Sequence, residues 1–128
     1  METKSDQMPP EVRLVIRILI KNKMEPKSDA FKLKGRSLDN PIVIGVADGH
    51  VFSEYLVSEF LLLGRQYKKL SQACIKQDDK VIDQLTYEVT NKNGNVSQVN
   101  FYYDITEGYN NPPEVYLNLL RKKQPNKL

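Results

Sequence analysis

Cysteine and histidine occur once each, as Cys74 and His50. A single cysteine excludes a disulfide within the chain and any multi-cysteine zinc site, and a single histidine excludes a histidine-rich metal centre. Long hydrophobic runs are missing as well. The longest, Leu14 to Ile20, is broken by Arg17 and falls well short of the roughly 20 residues a membrane-spanning helix needs. The stretch before it carries Glu2, Asp6, Pro9 and Pro10, and no small-residue cleavage site follows, so it does not read as a signal peptide. The expectation is a cytoplasmic protein with no call on a membrane. Phosphate-loop glycines, metal-ligand spacings and a triad are absent too, and no cofactor or catalytic residue is assigned.

What is present suits one globular domain over residues 1–128: 40% hydrophobic and 27% charged. The net charge of +3 is unevenly spread. Residues 1–36 and 121–128 each sum to +4, whereas 37–120 sum to −5. The basic character therefore lies at the ends, with residues 1–8 and 122–128 read as frayed, and the folded body is acidic.

The strongest local signal is the stretch from Val81 to Thr106, where two alternating runs flank Asn93-Gly94. The apolar residues Val81, Leu85, Tyr87 and Val89, and then Val99, Phe101, Tyr103 and Ile105, are all odd-numbered. A two-residue turn would pair odd with even. A three-residue loop, Lys92-Asn93-Gly94 with a left-handed Gly94, pairs odd with odd and sets Leu85 against Phe101, Tyr87 against Val99 and Asp83 against Tyr103. Alternation then sends Asp83 and Asp104 to opposite faces, so they form no acid–base dyad. Asp83 is expected to hydrogen-bond Tyr103 at the buried edge.

Residues 10–23 fit a strand, with apolar even positions, or a helix with Arg13, Arg17 and Lys21 in one stripe. Prolines at the start and Glu11 in the first turn favour the helix. Ile42 to Val46 reads as a buried strand, and 51–63 as a helix burying Tyr55, Leu56, Phe60 and Leu63 with Glu54 and Glu59 outward. Leu70 to Ile75 reads as a strand, Glu107 to Asn111 as a turn, and the segment from Pro112 as a helix capped by Asn111. The fold class is α+β in the order α-β-α-β-β-β-α, an antiparallel β-meander of about four strands with helices packed on one face.

Gly35-x-Ser37, Pro41-Ile42-Val43-Ile44, Glu54-Tyr55, Gln72, Asp83-x-Leu85 with Val89, Gly94, and Phe101-x-x-Asp104-Ile105 together resemble a group of small uncharacterised bacterial proteins, a domain of unknown function. This chain departs from that pattern with Phe101-Tyr102-Tyr103-Asp104 in place of a shorter Phe-Asp, and with its Pro-Pro-led end. The resemblance implies an α+β module and a bacterial source. It brings no activity or site residue.

Candidate chemistry is sparse. Cys74 and His50 could pair as nucleophile and base, but Cys74 between Ala73 and Ile75 reads as a buried, inert thiol. Asp48, His50 and Glu54 at a helix start are a possible small-ligand site, an alternative set against the simpler reading of a turn and cap. Asp78-Asp79 offers too few oxygens for calcium. Gln84, Thr86, Glu88, Gln98, Asn100 and Tyr102 share the polar face of the hairpin, with no Lys or Arg among them, which disfavours a phosphate backbone and suits a protein contact. The leading expectation is a non-enzymatic protein–protein interaction module, an immunity-type inhibitor or accessory protein, with a protein partner or a second copy docking on that face. Weak nucleic-acid binding through the basic ends is a further, less favoured reading.

Overall fold

The computed structural model describes residues 8–45, 48 and 50–110, without the side chains of His50 and Val51. Eight elements follow in order: α1 (Pro10–Lys21), α2 (Asp29–Leu33), β1 (Ile42–Val43), α3 (His50–Leu61), β2 (Gln66–Gln77), β3 (Lys80–Thr90), β4 (Val96–Asp104) and α4 (Thr106–Asn110). The helical reading of 10–23 holds. Pro10 starts α1, Glu11 lies in its first turn, and Val15, Ile18 and Leu19 form its buried stripe.

The β3–β4 hairpin takes the register that parity requires. Leu85 faces Phe101, Tyr87 faces Val99 and Asp83 faces Tyr103. Asn91 N–H bonds the Asn95 carbonyl at 2.8 Å, which closes a three-residue loop, and Gly94 supplies the left-handed φ of +84° that this loop demands. The odd-numbered residues Leu85, Tyr87, Val89, Phe101 and Tyr103 join Val15, Ile18 and Leu19 of α1 and Val57 and Leu62 at α3 in one core. At about 1.5–3 kcal/mol for each large side chain removed from water, that cluster is the dominant stabilising contribution.

The sheet is not a simple meander. Its order is β1-β4-β3-β2, and β1 runs parallel to β4 with Ile42 beside Tyr103. Strands β2, β3 and β4 do form an antiparallel meander; β1 joins by a crossover, which the short Pro41-led apolar run could not reveal. The sheet is mixed, and the described residues hold four helices. Two helices lie outside the expected order: α2, capped by Ser28, whose hydroxyl accepts from Phe31 N–H at 3.1 Å, and the short α4, where a turn was expected. The expected helix from Pro112 lies outside the described residues.

Helix α3 faces the core differently from expectation. Ser53, Glu54, Val57 and Ser58 are buried, whereas Phe60 and Leu63 are exposed. Apolar residues ring this helix, so hydropathy selects no face, and the sheet opposite decides. The Ser58 hydroxyl meets the buried Tyr103 hydroxyl at 2.5 Å, and the Ser53 hydroxyl donates to the Asp48 carbonyl at 2.6 Å. Turning Glu54 inward is the consequence.

Candidate interaction surface

The two ends of the sheet are finished differently. At the β1 end, the strand is two residues long and its main chain is already satisfied. The Asn22 side chain donates to the Val43 carbonyl at 3.0 Å and accepts from Val43 N–H at 2.8 Å, and it also donates to the Ile18 carbonyl closing α1. Beside it, the loop after α2 runs along β4: Tyr102 N–H bonds the Gly35 carbonyl at 2.8 Å. A Cβ on Gly35 would lie 2.6 Å from the Ile42 side chain, so only glycine fits there.

At the other end, β2 is twelve residues long and, apart from half-buried Ile75, exposed along its whole length. It pairs with β3 on one side only, so its outer row of N–H and C=O groups has no strand partner among the described residues. Few β2 residues favour a strand; pairing with β3 recruits the polar flanks beyond the expected core at Leu70–Ile75. Leu70 is the extra residue of a bulge between Lys69 and Ser71. The strand carries Lys68, Lys69 and Lys76 and no acid. Tyr67 and Leu70 are each 41% exposed.

A polar seam joins β2 to α3. Tyr55 Oη donates to Gln72 Oε1 at 2.7 Å, and Lys69 Nζ donates to both at 3.0 Å. Behind the seam lie Glu54 and Asp83, at 0% and 6% exposure. As a carboxylate, neither Glu54 oxygen meets a donor. Two bare carboxylates have no donor between them, and a proton supplies one. Burial first, and then Asp83 as hydrogen-bond partner and like charge, push Glu54 up to about 10, so it carries a proton at neutral pH. Lys69 opposes that shift without reversing it.

Cys74 sits opposite Asp83 and is exposed, correcting the expectation of a buried thiol. An edge strand leaves even its core-side residues uncovered. The thiol is nonetheless pushed above its ordinary value, by desolvation first and by Asp83 next, which keeps it protonated and a poor nucleophile. The expected Asp83–Tyr103 bond is replaced by the Tyr103–Ser58 contact, because the tyrosine reaches past its strand neighbour to α3. Asp104, on the opposite face from Asp83, accepts from Thr106 N–H at 3.0 Å and from its hydroxyl at 2.6 Å.

The six residues of the expected contact face come together as three adjacent cross-strand pairs, Gln84 with Tyr102, Thr86 with Asn100 and Glu88 with Gln98. Only Gln98 is exposed; Thr86 is buried, its hydroxyl donating to Asn100 at 2.7 Å, and Tyr102 is half-buried. Of the possible ligand set, Asp48 is bound to Arg17 at 2.6 Å and accepts from Gly45 N–H at 3.1 Å, while Glu54 is buried beside Asp83. The His50 side chain and the basic C-terminal residues lie outside the described residues. Among the described residues, no group of three His, Cys, Asp or Glu side chains could hold a metal ion, and no helix is long and apolar enough to cross a membrane.

No family model, curated protein or solved structure matches the chain, in keeping with its resemblance to an uncharacterised family.

Proposed function

We propose that this protein is a non-enzymatic interaction module that takes up an extended, acidic segment of a protein partner along the outer edge of β2. The observation that carries this reading is the strand itself: twelve residues, exposed on both faces, with three lysines and no acid. Main-chain hydrogen bonds to an added strand supply affinity, and alternate side chains supply selectivity. Lysines and a bulge on an edge guard against pairing with like strands. They disfavour a second copy, because a strand with three lysines and no acid finds no opposite charge on its own copy. An acidic strand meets the same lysines as partners. The polar face around Asn100 and Tyr102 continues from β2 across β3 and β4 and offers the partner further contact.

The test is a titration of the isotopically labelled chain with an acetylated peptide of alternating Glu and Val, and with its Lys–Val counterpart, read by amide chemical shifts. The reading expects saturable shifts concentrated on residues 66–77 with the acidic peptide alone. It also expects their loss in a variant carrying Lys68→Glu, Lys69→Glu and Lys76→Glu, and a monomeric mass for the free chain. Equal shifts with both peptides, or a dimer through β2, would contradict it.

A further inference from the structure

Where β2 begins, an open groove of about 780 Å³ lies between the end of α3 and the tip of the β3–β4 hairpin. It is lined by Arg65 and Gln66, by their neighbours Thr90 and Lys92 at the end of β3, and by Ser97 and Val99 of β4. Two of these residues are cations and none is an acid. Neither Arg65 nor Lys92 makes an ion pair with a described residue. A third cation stands close by. Arg36 lies with its guanidinium 4.8 Å from the centre of the Phe101 ring. It is pushed below the ordinary arginine value, by desolvation first and by the like charge of Arg65 second. Two guanidinium groups that repel each other, with no carboxylate among the groove residues, are an arrangement that an incoming anion relieves.

The groove and the edge are continuous, because Gln66 belongs to both. A strand added antiparallel to β2 would end, at its C-terminus, over Gln66. Antiparallel addition continues the pattern of β2, β3 and β4 and is the commoner pairing. We infer that the mouth of the groove, at the start of β2, binds the free C-terminal carboxylate of the docked acidic segment, with the long side chains of Arg65 and Lys92 as its cationic clamp. This rests on the edge-pairing reading and adds to it a direction and a terminus: the partner offers a chain end. Arginine suits a carboxylate through its paired, planar N–H groups.

Two peptides of the alternating Glu–Val sequence separate the two ideas, one with a free C-terminal carboxylate and one amidated. Affinities are measured by fluorescence anisotropy, and amide shifts are followed on β2 in parallel. The free acid is expected to bind roughly tenfold more tightly than the amide, as loss of a hydrogen bond to a charged group implies. That difference should vanish in the Arg65→Gln, Lys92→Gln double variant, whose replaced side chains are exposed and make no ion pair with described residues. Equal affinity of the two peptides, with β2 amides still shifting, overturns the carboxylate assignment and leaves edge pairing standing. If neither peptide shifts β2, both ideas fail.

Discussion

The sheet has two edges, and they solve the same problem in opposite ways. At β1, a short strand is closed off by one side chain: Asn22 supplies both the acceptor and the donor that a neighbouring strand would have given Val43. At β2, a strand six times as long carries its outer main chain without a strand partner among the described residues, guarded only by lysines and a bulge. Closing an edge with an asparagine fixes α1 to the sheet and leaves nothing to bind. Leaving one open keeps a row of donors and acceptors available, at the risk of unwanted pairing that the lysines reduce.

The largest expected effect lies behind the open edge. Glu54 is protonated in the folded chain up to about pH 10, whereas its ordinary value is 4.5. Its folded pKa is therefore raised, so its stabilising contribution is complete below pH 4.5 and is lost progressively as pH climbs towards 10. Denaturation from about pH 6 to about pH 9 should show stability falling by up to ~1.4 kcal/mol per pH unit from this group. Glu54→Gln should flatten that slope, and hydrogen exchange should show α3 loosening with pH before the Asn22–Val43 contact does. A slope unchanged in the variant would remove the proton-bearing pair from the account.

Next in size is the closed edge. Asn22→Ala removes three hydrogen bonds and should cost about 2 kcal/mol in urea denaturation. A loss under about 0.5 kcal/mol would mean that water replaces the asparagine and that the β1 edge is not closed after all. Ser58→Ala leaves the fully buried Tyr103 hydroxyl without its partner and should cost about 1 kcal/mol or somewhat more, with α3 the element that loosens. Smallest of all, Ser71→Ala on exposed β2 should fall within about 0.5 kcal/mol of wild type, since its side chain is exposed.

How much of this could be read from the chain depends on where the information resides. The β3–β4 hairpin is local: alternation and a Gly94 turn dictate Leu85 opposite Phe101 without reference to anything distant. The face of α3 is not local. Phe52, Phe60 and Leu63 look like core residues and are exposed, while Glu54 looks like a surface residue and is fully buried. What orients that helix is the sheet beneath it, through Tyr103 and Ser58, and hydropathy carries no trace of such a pair. The parallel joining of β1 to β4 is likewise a long-range choice. The open edge was half visible: Leu70–Ile75 reads as a strand, but its extension to Gln66 and Gln77 comes from β3 as template. Arg65 and Lys92 stand far apart in sequence and meet across a groove only once β2 and the hairpin tip are placed.

Whether β2 is an edge open to an acidic strand is decided by hydrogen exchange along residues 66–77 with and without the free-acid Glu–Val peptide. The β2 amides turned away from β3 should exchange fast in the free chain and become protected when the peptide is added, while protection at Val43 stays constant. Outward β2 amides already protected in the free chain would show a closed edge, and amides left unprotected at saturating peptide would show that no acidic strand docks there.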